Sequence, residues 1–461
     1  MADRIRGAGA SVDFDAASLA RTINGTVLRE GSLPIRGGAV DSRRVVPGNA
    51  FFALPGERTN GHRFVADAAQ RGAAALVVTE DISTHNVADA SVIAVDDTLL
   101  ALQQAGAGWR NRFEPVVVGV TGSLAKTSTK EQIAEVLSER WNVLRNTANE
   151  NNEIGLPLTL LRLGPEHQVA VLEMGMYEPG DIKVLAQLAR PLIGVVTAVR
   201  GTHLSRAGSI DEIERGKREL VDALASGGTA VLNADDPRVA RMAESLAADV
   251  NLLTYGFDAA ADVRAEHVLS AAADGMIFEL RAGGDAVDVT SPALGRHSVH
   301  NALAAAAVAI GLGMDLPTIA RGLARPWRAP HRTTIVNYGS IVVLDDSYNA
   351  SPDSMIAALD LLASFDRADR RIAILGEMLE LGETSEAEHR RIERYARLAA
   401  DLVIAIGPYD FAEDRDAVMR DLGQRLRPGD MVLIKGSRGA AMEEFLPVLE
   451  QAARHMKAPV E

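Results

Sequence analysis

The stretch GVTGSLAKTSTKE, residues 119–131, sets a lysine and a threonine side by side after a glycine-bearing turn. A phosphate-binding loop reads G-x-x-x-x-G-K-[ST]. Its backbone N–H groups cradle phosphates, its lysine reaches the β- and γ-phosphates, and its hydroxyl binds Mg²⁺. An apolar strand over 116–120 enters this turn and an amphipathic helix, TKEQIAEVLSER, leaves it. Amides at that helix start, helped by its dipole, can hold phosphate oxygens. Gly119, Thr121, Gly122, Ser123, Leu124, Ala125, Lys126, Thr127 and Ser128 are therefore the expected nucleotide cradle. One residue breaks the pattern: alanine stands at 125, where the motif wants glycine. If position 125 needs a positive φ, the methyl costs about 1–2 kcal/mol, or about 5–30-fold in affinity.

Other chemistry-bearing residues follow strands. Glu173 ends VAVLEMG, where a carboxylate can bind Mg²⁺, and His203 follows the next strand in AVRGTHLSRAG. Lys217 sits near the middle of a helix begun by GSIDEIERGKREL, with Ser209 and Glu212 in capping-box spacing. The chain holds only six lysines, at 126, 130, 183, 217, 435 and 457. Arginine stays protonated, whereas an amine can lose its proton and act as a nucleophile, so each lysine is a candidate for chemistry that guanidinium cannot do.

These residues need a large scaffold, and 461 residues exceed one hydrophobic core. Composition is that of a globular protein, 47% hydrophobic and 24% charged. A net charge of −14 argues against nucleic acid or anionic membrane as partner. The absence of cysteine excludes disulfides, thiolate zinc and thiol catalysis. The N-terminus lacks a signal-peptide core, and the apolar stretch 301–314 is too short to span a bilayer and reads as a buried helix. The expectation is a cytoplasmic enzyme.

Strands alternate with helices along the chain, which implies mainly parallel sheets covered on both faces. AALVVT (74–79) and SVIAVD (91–96) belong to a first block, 1–112. A second block, 113–325, runs through HQVAVLEMG, PLIGVVTAV and GTAVLN, with alternating segments at 257–293 that suggest a small antiparallel insertion. ARPWRAPHR (324–332) reads as a linker into a third block, 326–461, with SIVVLDDSYNA, RRIAILGEM, DLVIAIG and DMVLIKGSRG. The expected class is α/β with three domains.

Taken in order, DSRRVVPGNAFFALPGERTNGHRF, TGSLAKTSTKE, NTANENNEIGLPLTLL, LEMGMYEPGDI, HSVHNALAA, LDDSYNASPDSM, ILGEMLELGE and LIKGSRGAAME resemble the Mur ligase family, ATP-dependent enzymes that build the peptide of bacterial cell-wall precursors. The resemblance covers nearly the whole chain. It implies a small N-terminal α/β domain for a uridine-diphosphate substrate and a central P-loop ATPase-like domain. A C-terminal Rossmann-like domain would bind the incoming amino acid or dipeptide. Within the family, ILGEMLELGE and DDSYNASP favour the branch that adds D-alanyl-D-alanine to UDP-N-acetylmuramoyl-tripeptide, and the D-N-P-R signature of the diamino-acid-adding branch is absent.

Residue by residue, the resemblance implies that Glu173 and His203 bind Mg²⁺. Lys217 would be carbamylated by CO₂ to hold a second Mg²⁺. Asn149, Asn151 and Asn152 match an asparagine loop near the reacting centre, and Asn301 the residue beside adenine. Arg332 and Asp346 match residues that touch the nucleotide. Ser42 and Arg43 match the motif holding the uridine-diphosphate end, while Tyr348, Asn349, Lys435, Ser437 and Arg438 belong to third-domain substrate elements. ATP and two Mg²⁺ ions are the implied cofactors, the two small substrates are the implied partners, and a monomer is expected. The chain departs from the family at Ala125, Ala148 and His331, where relatives carry glycine. Two other readings stay open. One is a catalytically weakened homologue that binds or regulates, which Ala125 recommends; the other is a related folate or polyamino-acid ligase, against which the DSR block speaks.

Overall fold

The structure is a computed structural model that describes residues 13–456, apart from 57–58, 83–84, 88, 148, 202–207, 328, 366–367 and the side chain of Ala272. Strands rich in Val, Ile and Leu form three sheets, and most are buried on both faces, as parallel strands between helices must be.

The first sheet holds β1 (Thr26–Arg29), β2 (Gly38–Ala39), β3 (Ala50–Phe52), β4 (Ala75–Val78) and β5 (Ser91–Ala94) in the order β1-β5-β4-β3-β2. All its pairs are parallel except β1–β5. The second comprises β6 (Val116–Thr121), β7 (Val143–Arg145), β8 (Val169–Glu173), β9 (Ile193–Val196), β10 (Thr229–Asn233), β11 (Asn251–Gly256), β12 (Val263–Ser270), β13 (Met276–Ala282) and β14 (Asp285–Ser291). Its order is β14-β13-β12-β11-β10-β9-β6-β8-β7. The alternating segments at 257–293 do pair antiparallel, as β12–β14, but a parallel β11–β12 pair joins them to the edge of the main sheet. The third sheet orders β15 (Thr334–Asn337), β16 (Val342–Asp346), β17 (Arg370–Leu375), β18 (Leu402–Ala405) and β19 (Asp430–Lys435) as β15-β16-β19-β17-β18, with only the edge strand β15 antiparallel.

Packing distinguishes the three parts. One continuous apolar cluster runs from Phe14, Trp109 and Phe113 to Leu156, Leu172 and Leu220, so the first sheet and one face of the second share a core. Trp109 Nε1 also donates to Leu163 O at 2.9 Å. On the opposite face lies the helix Arg296–Gly311, whose alanine-rich middle is buried as its composition suggests. The third sheet instead builds its clusters almost wholly from its own residues, with Leu294 as a contribution from upstream. A domain with its own core could in principle fold alone. No described helix is long and apolar enough to cross a membrane.

Candidate active site

Parallel sheets bind ligands beyond the carboxyl ends of their strands, and β6 delivers its loop there. Gly122 takes φ 148°, and a Cβ at that point would lie 1.9 Å from Thr197 Oγ1, so the turn demands glycine. The loop is stitched to the end of β9: Ser123 N donates to Ala198 O at 2.7 Å, and Thr197 Oγ1 donates to Leu124 O at 2.6 Å. Ser123 Oγ in turn donates to Arg200 O at 3.0 Å and accepts from Arg200 N at 2.9 Å. Ala125 then precedes the helix Lys126–Leu137 in the left-handed conformation, φ 62°. The glycine-type geometry survives, with the methyl bearing the strain. Lys126 Nζ folds back to donate to Gly122 O at 2.8 Å. Burial holds its pKa below the ordinary lysine value, against the opposing pull of Glu173.

Glu173 ends β8 and is buried. Its two carboxylate oxygens accept from Thr127 Oγ1 at 2.7 Å and from Asn151 Nδ2 at 2.8 Å. Asn146 braces the same residue through the backbone: Glu173 N donates to Asn146 Oδ1 at 2.9 Å, and Asn146 Nδ2 donates to Glu173 O at 3.0 Å. The buried Lys130, one turn beyond Lys126, donates to Asn146 O. One amine therefore ties the phosphate-loop helix to the asparagine segment.

Lys217 lies in the helix Ile210–Asp222, whose start Ser209 caps by accepting from Glu212 N at 3.2 Å. The position is not a solvated helix face: the side chain is 4% exposed. Among the described residues its hydrogen-bond partner is Met176 Sδ, 4.0 Å away, and no carboxylate pairs with it. Burial first, and Lys126 second, push its pKa well below the usual lysine range. His203, expected as a Mg²⁺ ligand, lies outside the described residues, as does Ala148.

The opposite wall of the cleft comes from the third sheet, and the space between is about 670 Å³. Asp346, at the end of β16, accepts from Lys435 Nζ and from Thr333 N at 2.9 Å. Lys435 also donates to Asn349 O at 3.0 Å. Arg332 lies 4.0 Å over the Tyr348 ring, and Arg438 faces the same ring at 5.7 Å, paired with Glu443. His331, like Ala125, takes a positive φ, 59°. It bonds Asp345 at 2.8 Å through Nδ1. Asn301 lines the near wall, accepting from Thr129 Oγ1 at 3.1 Å.

The cleft thus gathers Ser123 to Ser128, Glu173, Asn301, Arg332, Asp346, Tyr348, Asn349, Lys435, Ser437 and Arg438. Gly119 and Thr121 stand behind it within β6, where Thr121 Oγ1 donates to Met174 O at 3.0 Å. Asn149 is exposed, and Asn152 Oδ1 accepts from Gly155 N at 2.8 Å, fixing the start of the helix Gly155–Leu160. Ser42 and Arg43 do not line the cleft; they lie on the short helix Ser42–Arg44, with Arg43 paired to Asp41. Their neighbour Arg44 reaches Glu150, in the asparagine segment, at 3.2 Å. Sequence reasoning missed Arg200, Asp353, Asp235 and His300, which also line the cleft. Arg200, Asp353 and His300 stood inside stretches already singled out, AVRGTHLSRAG, LDDSYNASPDSM and HSVHNALAA, whereas Asp235 did not.

Family models tile this architecture: one for the Mur ligase family, catalytic domain, matches residues 34–110, one for the Mur ligase middle domain 120–309, and one for the Mur ligase, glutamate ligase domain 331–438. The UDP-N-acetylmuramoyl-tripeptide–D-alanyl-D-alanine ligase of Escherichia coli (strain K12) is 35% identical over 427 residues, which cover 89% of this chain and 93% of that one. The chain belongs to the Mur ligase family. Among solved structures, a MurF crystal structure from Acinetobacter baumannii superposes with a TM-score of 0.86 at 30% identity, covering 95% of this chain and 99% of that one. MurF ligase from Thermotoga maritima in complex with ADP gives 0.80 at 27%, covering 91% and 98%. The three-domain α/β architecture of this Mur ligase is therefore that of its relatives.

Proposed function

We propose that this Mur ligase joins D-alanyl-D-alanine to UDP-N-acetylmuramoyl-tripeptide with consumption of ATP, in the cytoplasmic stage of peptidoglycan precursor synthesis. The observation that carries the reading is end-to-end similarity to a ligase of that activity, spanning all three sheets rather than the ATP loop alone. A related folate ligase fits less well, because the similarity includes the first sheet with its DSR block. Ala125 gives little support to a weakened homologue, since it adopts the loop conformation that glycine would supply.

In this reading the tripeptide carboxylate attacks the γ-phosphorus, giving an acyl phosphate and ADP. The dipeptide amine then attacks the acyl carbon and phosphate leaves. The obstacle is repulsion between a carboxylate and a triphosphate. Lys126 and the amides of 124–127 would hold the phosphate oxygens, the kind of preorganised charge that dominates phosphoryl transfer. Thr127 and Glu173 present hydroxyl and carboxylate oxygens, the donor type that Mg²⁺ prefers, and would hold one ion. Bound Mg²⁺ supplies charge neutralisation for the transfer. Lys217 supports a second site in a less direct way. A buried amine with a lowered pKa and no carboxylate partner gives up its proton more readily than an ordinary lysine, as reaction with CO₂ requires. The resulting carbamate would give an anionic oxygen donor for a second Mg²⁺.

Residues 1–112 would bind the uridine-diphosphate end, with Ser42 and Arg43 as contacts. Residues 113–325 would bind ATP, with Asn301 on the base, and residues 326–461 the dipeptide. Closure of the third domain excludes water from the acyl phosphate. The test is ATP-dependent phosphate release with both substrates, coupled to mass detection of the pentapeptide product. Phosphate release without product, or product with folyl substrates instead, would refute the reading.

A further inference from the structure

His389 lies in the helix Ser385–Ala399, wholly buried and outside the cleft, and the reaction scheme above gives it no task. Its two ring nitrogens have opposite duties. Nδ1 lies 2.7 Å from Ser385 O, a carbonyl that can only accept, so Nδ1 carries the proton. Nε2 accepts from Met378 N at 2.9 Å. The ring packs edge-on against Tyr409, with centroids 4.8 Å apart, and Tyr409 OH donates to Gly376 O at 2.9 Å. Two aromatic side chains thus grip the backbone of residues 376–378 from behind.

In front of that grip the chain turns into the cleft, where Leu379, Glu380 and Leu381 form part of the wall. Glu380 takes φ 66°, a conformation a non-glycine residue keeps only when its surroundings hold it. The loop is held on the cleft side as well: Leu379 N donates to Ser437 Oγ at 2.8 Å, and Ser437 N donates to Glu377 O at 2.9 Å. Ser437 belongs to the KGSR segment that follows Lys435, so the loop and that segment share one hydrogen-bonded frame.

We propose that His389 is a positioning residue for the dipeptide. Through its Nε2 acceptor it fixes the backbone of 377–381 against Ser437, and this loop sets the third-domain wall on which D-alanyl-D-alanine docks. The inference rests on the ligase reading above, and it assigns the loop to the dipeptide rather than to ATP.

Two variants separate the two nitrogens. His389→Gln can place an amide oxygen near the Nε2 position and keep the bond from Met378 N. His389→Asn reaches only the Nδ1 position and leaves that N–H buried without a partner. The expected result is a dipeptide KM raised about tenfold in His389→Asn and no more than about threefold in His389→Gln, with the ATP KM of both near wild type, in line with a lost buried hydrogen bond. Amide hydrogen exchange over 377–381, measured without any substrate, should be faster in His389→Asn than in His389→Gln. Dipeptide and ATP KM rising together, or equal effects from both variants, would mean a merely structural histidine and overturn the proposal. Faster exchange with an unmoved dipeptide KM would overturn the dipeptide assignment. Failure of the wild type to use the dipeptide at all would overturn the ligase reading itself, and the proposal with it.

Discussion

Arg200 Nε lies 2.9 Å from Asp353 Oδ2, an ion pair that joins the strand end beside the ATP loop to the first turn of the helix Pro352–Ala363 in the third domain. The same guanidinium pairs with the buried Asp236, and the Arg200 backbone bonds Ser123 of the loop. The interdomain contact and the stitching of the ATP loop therefore converge on one residue. Both partners of the interdomain pair are over a third exposed, which limits it to about 0.2–1 kcal/mol.

Asp353→Asn leaves the Asp236 pair intact and removes only the interdomain one. Its ATP KM should rise about two- to fivefold at low ionic strength. The difference should shrink at about 0.5 M salt, where exposed charges are screened. Equal ATP KM for variant and wild type at low salt would show that the pair does not contribute to closure.

Ala125 holds φ 62°, so glycine there removes about 1–2 kcal/mol of left-handed strain. About 0.5–1 kcal/mol returns as the extra chain entropy that glycine loses on folding. The net gain is small and favourable. Ala125→Gly should raise Tm by a few degrees in calorimetry and lower the ATP KM severalfold, leaving peptide specificity alone. A lower Tm would mean that the loop is unstrained with alanine.

Lys217 separates stability from activity. Its amine is buried with a sulfur as partner, and its folded pKa is depressed. The folded chain therefore binds fewer protons than the unfolded one between the folded pKa and the ordinary value of 10.5. Stability contributed by this group rises with pH through that window and is penalised below it. Lys217→Met should raise Tm at neutral pH, flatten that slope and cut kcat at least about a hundredfold, the scale for losing a group that stabilises transition-state charge. A fully active Lys217→Met protein would remove the carbamate from the scheme.

Glu150 joins the first sheet to the asparagine segment, receiving Arg44 at 3.2 Å and Arg162 at 2.9 Å. Burial raises its pKa, but Arg162, Thr147 and Arg44 outweigh that and leave it below the ordinary 4.5. Its stabilisation is present above that value and is lost as pH falls through the lowered pKa. Glu150→Gln should lose about 1 kcal/mol at pH 7, with the gap to wild type closing at a pH well below 4.5. A gap equal at both pH values would contradict this, as read by denaturant titration.

Much of this was legible in the sequence where a function rests on contiguous residues. The strand–turn–helix around Lys126 could be read because glycine, lysine and threonine stand within one turn of one another. Glu173 could be read because it ends an apolar run. The lysine count pointed to Lys217, although its burial depends on Met176, more than forty residues away in the chain. What escaped reading was made by distant partners. Arg200 and Asp353 belong to different domains, His389 acts through a backbone N–H, and Lys130 looks like a solvated lysine until Asn146 covers it. The antiparallel strands at 263–291 showed their alternation, but the parallel β11–β12 pair that attaches them has no local signature.

The central claim is that the tripeptide carboxylate becomes an acyl phosphate before the amide bond forms. Tripeptide labelled with ¹⁸O in its terminal carboxylate, turned over with ATP and D-alanyl-D-alanine, tests it directly by mass analysis of the released phosphate. One labelled oxygen should appear in each phosphate, because the C–O bond that breaks leaves that oxygen on phosphorus. Phosphate free of label, formed alongside the pentapeptide, would contradict the account.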